Sequence, residues 1–144
     1  MTHDRWFRIA LGYLGLIALE IGVWALLAPQ SFYSNFPGLG RTWVSIDGPF
    51  NEHLVRDVGA LNLALFCLIA YAAVTLSAEL VKVAAVASLA WGVPHFIYHV
   101  LNTDGWASGD LALSLGGLVI SAAIPVILLA NTSKLTSRQI IQSP

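Results

Sequence analysis

Charged side chains are scarce in this chain: Asp, Glu, Lys and Arg make up only 10% of its 144 residues, whereas 57% are hydrophobic. A soluble globular domain carries about 25% charged residues, and a chain of this length has too small a core to bury so much apolar surface in water. The composition therefore excludes a soluble domain and predicts the lipid bilayer as the main surrounding. The net charge of −1 also predicts no nucleic-acid partner.

Cysteine and familiar catalytic motifs are also lacking. Cys67 is the one cysteine, so no intrachain disulfide can form, and a lone cysteine in an apolar run is typical of a small hydrophobic residue. The sequence has no CxxCH site for haem attachment. It also has no GxSxG elbow and no glycine-rich phosphate loop. These absences argue against attached haem, a serine nucleophile and phosphate binding.

Long apolar runs dominate what remains. Each of these runs reaches the length of about 20 residues that a helix needs to cross a bilayer. We therefore predict an all-α bundle of four transmembrane helices, in a multi-pass protein of the cell membrane. One membrane domain would cover residues 1–130, with a long loop at 29–52 and a polar tail at 131–144. The predicted spans are 7–28, 53–76, 80–101 and 111–130.

The distribution of basic residues predicts the orientation of the bundle. Only Arg41 and Arg56 lie on the side of the long loop. Because lysine and arginine accumulate on the cytoplasmic side of membrane proteins, both termini are expected in the cytoplasm and the long loop outside. The opposite side carries Arg5, Arg8, Lys82, Lys134 and Arg138.

Spans two, three and four each carry a row of small and polar residues. Positions three and four apart share one face of a helix, and small residues allow membrane helices to approach closely. We expect the three rows to face one another, with their polar ends on the outward side. They are His53, Asp57, Ala60, Ala64 and Cys67; then Ala84, Ser88, Gly92, His95, His99 and Asn102; then Asp110, Ser114, Gly117, Ser121 and Ile124.

Span one has its small residues and its carboxylate on opposite faces. Since a carboxylate is costly against lipid, we expect Glu20 to face the bundle interior. The small row is then left for a tight neighbour, a second copy or a larger membrane complex. That row is Gly15, Ala18, Gly22 and Ala25.

The histidines suggest a metal site as one hypothesis. His95 and His99 are four residues apart, a spacing that places two imidazoles on one helix face. A third ligand from His53, Asp57 or Glu20 would complete a donor set suited to a transition metal such as zinc or iron. Haem held between His53 and His95 is a narrower form of the same hypothesis.

Two other interpretations remain open for the same cluster. One is a purely structural network, in which Arg56 pairs with Glu52 or Asp57 and the histidines bond to carboxylates, with Glu20 and Asp110 as further members. The other is a site for an organic, quinone-like ligand. Two hypotheses follow for the function. The protein is either a metal- or redox-linked membrane enzyme or a non-catalytic accessory subunit of a larger complex.

Three segments resemble those of a group of uncharacterised bacterial four-span membrane proteins, which are distantly similar to DoxX-like membrane proteins. They are FPG at 36–38, GPFNEHLVRDVGALNLAL at 48–65 and GVPHFIYH at 92–99. The resemblance implies a compact four-helix fold in the plasma membrane. It implies no particular activity, cofactor or site residue.

Overall fold

A computed structural model describes residues 3–135. Its four long helices are α1 (His3–Leu27), α3 (Glu52–Thr75), α4 (Ala78–Leu101) and α5 (Ser108–Asn131). All four are long and apolar enough to cross a membrane. The predicted all-α four-helix bundle is therefore confirmed, and the chain is a multi-pass membrane protein. We call the end of the bundle that carries residues 28–51 and 102–107 the loop end.

The ends of α3 are fixed by local hydrogen bonds. At its start, the Asn51 side chain accepts a hydrogen bond from the backbone N–H of Leu54 at 3.1 Å and so caps the helix. At its other end, Leu76 takes the left-handed conformation that reverses the chain into α4. The Arg8 guanidinium donates to the carbonyl of Ala73 at 2.6 Å, so α1 satisfies a free carbonyl in the last turn of α3.

Helices α1 and α3 form the closest pair in the bundle. A Cβ added to Gly59 would lie 2.5 Å from the backbone nitrogen of Leu26, and one added to Gly22 would lie 2.9 Å from the Leu63 side chain. Ala18 and Ala25 of the same row of α1 are also buried. The small row of α1 thus packs against α3 of its own chain. Of the alternatives given for this row, the structure shows the tight neighbour.

The core fills the half of the bundle opposite the loop end. Its largest fully buried side chains include Phe7, Leu11, Ile69 and Leu128. Leu135 packs against this core and is only 5% exposed, so the polar tail predicted to begin at residue 131 stays packed through residue 135. Residues 136–144 of that tail, including Arg138, lie outside the described residues.

The long loop is folded over the loop end. It contains α2 (Pro29–Asn35), the strand pair β1 (Pro37–Gly38) and β2 (Arg41–Thr42), and a 3-10 turn at Ser45–Asp47. The Tyr33 hydroxyl donates to the Gly48 carbonyl at 2.7 Å, and Phe32 packs on Ala25 and Val55. An ion pair between Arg41 and Asp110 ties β2 to the first turn of α5.

Candidate functional site

A cavity of about 1210 Å³ lies between the helices, beneath the folded loop. Helix α1 packs mainly on α3, and α4 mainly on α5, and residues of both pairs line the cavity. All four long helices and the loop contribute to its wall, which reaches from Trp43 in the loop to Ser88 in the middle of α4 and Ile69 in the last third of α3. The wall is mostly apolar, with a few polar side chains along it.

The row predicted on α4 faces this cavity. Ser88, Gly92, His95 and His99 all line it, and His99 is only 7% exposed. The Ser88 hydroxyl donates to the Ala84 carbonyl at 2.8 Å, as a serine within a helix commonly does. On α5, the predicted Ser114, Gly117 and Ser121 also line the cavity. The expectation that these two rows face a common interior is therefore confirmed.

Five rings stand in sequence along the cavity wall at the loop end, and we call them the ring series. The Trp91 and His95 rings stack with centroids 5.5 Å apart, and His95 and His99 meet edge-to-face at 4.7 Å. His99 meets Trp106 at 5.5 Å, and Trp106 meets Trp43 at 5.9 Å. Such contacts fix the orientations of the rings, so both imidazoles are held in place by aromatic neighbours.

Three nitrogens of the ring series are buried without a hydrogen-bond partner among the described residues. They are Nε1 of Trp43, Nε1 of Trp106 and Nδ1 of His99. A buried polar group left unpaired costs about 1–3 kcal/mol. Two of these groups are indole N–H donors, which accept nothing themselves. The loop end of the cavity therefore concentrates unsatisfied polarity in an otherwise apolar wall.

The row predicted on α3 faces away from the cavity, which corrects that part of the sequence interpretation. His53, Asp57, Ala60, Ala64 and Cys67 are all exposed. The His53 and Asp57 side chains lie 3.3 Å apart and are 88% and 62% exposed. The reason is that the close approach of Gly59 to α1 fixes the rotation of α3. The cavity instead receives Val58 and Asn62, while His53 stays at its rim.

Glu20 lines the cavity, as expected for an inward-facing carboxylate. It shares one face of α1 with Tyr13 and Ile17, which also line the wall. No salt bridge to Glu20 is formed within residues 3–135. An ionisable group inside a spanning helix is a functional candidate by default.

The remaining predicted polar residues form structural pairs. Arg56 bonds Glu52 through Nη2 at 2.8 Å and Nε at 2.9 Å. It also donates to the carbonyl of Leu26 at the end of α1. Asp110 pairs with Arg41 and lies outside the cavity wall. The smaller surface cavity beside Arg56, of about 450 Å³, offers only this paired cation.

Several residues of the site escaped the sequence interpretation. Trp43 and Trp106 lie in loops, and only the folding of those loops brings them onto His99. Asp47 also lines the cavity. Burial raises the pKa of its carboxyl above the usual 3.8, and the charge of nearby His99 opposes that rise. In a sequence, an aspartate followed by glycine in a loop indicates a turn, so it does not suggest that the aspartate lines a cavity.

Among residues 3–135, no three or more His, Cys, Asp or Glu side chains are grouped to hold a metal ion. His95 and His99 are adjacent, but Asp57 is turned away and His53 is paired with it. The metal site therefore stays a prediction that rests on two imidazoles. Comparisons with protein-family models, curated proteins and solved structures find no match to this chain. The cavity is therefore the feature of the molecule that bears on its function.

Proposed function

We propose that this protein binds a lipophilic organic molecule in the cavity between its two helix pairs, within the plasma membrane. Ligand pockets are clefts of about 300–1,000 Å³ with apolar walls and a few placed polar groups. The cavity here, at about 1210 Å³, is large enough for an amphipathic molecule with an extended apolar part. The nitrogens that lack a partner among the described residues lie at the loop end, where a head group would lie.

The ring series is the observation that carries this proposal. Three of its nitrogens are buried and unpartnered within the described part of the chain. A structural network would be expected to satisfy such groups. An occupant with polar atoms, together with small rotations of the rings, would provide the missing partners. The apolar part of the occupant would then lie deeper, among Leu14, Leu65 and Leu118.

The redox-linked interpretation fits the same site. A quinone-like ring would stack against Trp91 or His95, and the imidazole nitrogens are hydrogen-bonding groups for the oxygens of such a ring. A transition metal or haem would need ligands beyond His95 and His99, which the described residues do not group around them. The accessory-subunit alternative rested on the small row of α1, and α3 now occupies that row.

The composition of the purified wild-type protein tests the proposal. Elemental analysis, an optical spectrum and mass spectrometry of an organic extract would be recorded on one preparation. We expect an organic molecule at a stoichiometry near one, without stoichiometric metal. Stoichiometric metal that disappears in both His95→Ala and His99→Ala would instead establish the metal centre. Neither metal nor an organic molecule would contradict the proposal and favour the accessory subunit.

A further inference from the structure

We propose that the occupant of the cavity is a lipophilic organic cation and that Glu20 is its charge partner. This inference rests on the proposed function, that the cavity binds a lipophilic molecule, and adds the chemical class of that molecule. It follows from the charges of the wall, the depth of Glu20 and the aromatic faces that surround the space.

The charged side chains of the wall have one sign. Glu20, Asp47 and Glu52 line the cavity, and no lysine or arginine does so among the described residues. Glu52 is already neutralised by Arg56 at 2.8 Å. An anionic head group, such as a fatty-acid carboxylate or a phosphate, would therefore meet like charges and no fixed cation. The repulsion between these carboxylates and an anionic head group would strongly disfavour binding of such a ligand.

The position of Glu20 makes a cation the complementary ligand. It lies seven residues before the end of α1 at Leu27, or about 10 Å into the span. At that depth a carboxylate is stabilised by a partner of opposite charge, and the chain supplies none within residues 3–135. Glu20 lines the cavity, so a ligand bound there can supply the opposite charge.

The aromatic side chains supply the rest of the recognition. Tyr13 lies two turns from Glu20 on the same face of α1, and Trp91 and Trp43 line the wall opposite and above. The faces of such rings attract organic cations, most strongly where water is excluded. A carboxylate combined with ring faces favours a bulky, hydrophobic cation over a small hydrated one.

Three probes of similar shape separate charge from hydrophobicity. Tetraphenylphosphonium is a cation, tetraphenylborate is an anion of nearly the same shape, and triphenylphosphine oxide is a neutral acceptor. Each would be measured by equilibrium dialysis on the full-length protein in neutral detergent. The Gly117→Trp variant places a large side chain in the cavity wall, so the probe that it still binds measures mainly uptake by the micelle. Specific binding is the difference between wild type and this variant.

We expect specific binding of tetraphenylphosphonium at least about 10-fold tighter than that of the other two probes. Glu20→Gln should weaken it by about 10-fold or more, because the neutral amide no longer attracts the bound cation. Glu79→Gln is the matched control, since Glu79 is exposed at the opposite end of the bundle. Asp47→Asn, in the loop, tests the second carboxyl if Glu20→Gln fails to fold.

The outcomes separate this inference from the proposed function. Equal or tighter specific binding of the borate or the phosphine oxide would overturn the cation assignment while leaving a ligand-binding cavity. Unchanged phosphonium binding in a folded Glu20→Gln protein would overturn the role of Glu20. If no probe binds specifically and the purified protein carries no organic molecule, both the inference and the proposed function fail.

Discussion

Two glycines set the distance between the first two membrane spans. Gly59 of α3 meets the backbone of α1 at Leu26, and Gly22 of α1 meets Leu63 of α3. Membrane helices gain their association from close packing of small residues, because lipid provides no hydrophobic drive between them. These two residues therefore decide which face of α3 turns toward α1 and, in consequence, which face borders the cavity.

Replacing Gly59 with alanine should destabilise the bundle. The added Cβ would lie 2.5 Å from the Leu26 nitrogen and 2.9 Å from its Cα, which are backbone atoms that cannot move alone. We expect a loss of about 1–3 kcal/mol, the usual effect of overpacking, seen as a lower unfolding temperature in detergent. Gly12→Ala is the control, since a Cβ there meets nothing within 4 Å. Equal unfolding temperatures for the two variants would show that α1 and α3 are not packed this closely.

At the scale of the element, the folded loop is the part that closes the cavity. Its two-stranded turn is tied to α5 by Arg41 and Asp110, whose side chains are 37% and 24% exposed. Its other end is held by the Tyr33–Gly48 hydrogen bond and by Phe32 in the small cluster at the end of α1. The loop therefore acts as a cover anchored to both helix pairs.

Reversing the charge of Arg41 should loosen this cover. Arg41→Asp would place two carboxylates together, and we expect amide hydrogen exchange across residues 36–50 to rise about fivefold, equivalent to about 1 kcal/mol for a partly exposed pair. The double variant Arg41→Asp with Asp110→Arg should return the exchange toward the wild-type rate. If the double variant exchanges faster than either single one, the ion pair does not hold the loop.

The helices differ in how far their sequence predicted their role. The prediction that the rows on α4 and α5 face a common interior is correct. Their polar and small residues both face that space, so a single pattern in the sequence indicates the packing face and the cavity face. The row on α3 was misread: its polar end, His53 and Asp57, is at the membrane surface and needs no interior partner. The contact that orients α3 is the approach of Gly59 to a backbone, which no polar periodicity reveals.

The loop residues of the site were beyond the reach of pattern analysis for another reason. Trp43, Asp47 and Trp106 become neighbours of His99 only after the loops fold on the finished bundle. Tryptophan in a membrane loop is ordinarily an interfacial anchor, so its presence in a loop does not indicate a cavity residue. The four long apolar helices, in contrast, follow from length and composition, and the structure contains all four.

At the scale of the whole molecule, orientation in the membrane is the first quantity to measure. Leu39 is 99% exposed at the tip of the loop, and Ser77 lies in the turn between α3 and α4 at the other end. In a Cys67→Ala background, we expect Leu39→Cys to react with an impermeant thiol reagent added to intact cells, and Ser77→Cys to react only after permeabilisation. This follows from the excess of basic residues on the Ser77 side. The reverse pattern would place the cavity mouth in the cytoplasm.

The central claim is that the cavity holds a lipophilic molecule, and two neighbouring glycines on α5 test it most directly. A Cβ at Gly116 or Gly117 meets nothing within 4 Å, so a side chain can be added at either position without a clash at its Cβ. Gly117 lines the cavity, whereas Gly116 is exposed outside it. The measurement is the amount of organic molecule extracted per mole of purified Gly117→Trp and Gly116→Trp protein. The account predicts that Gly117→Trp loses the molecule and Gly116→Trp retains it at the wild-type level; equal retention in both variants would contradict it.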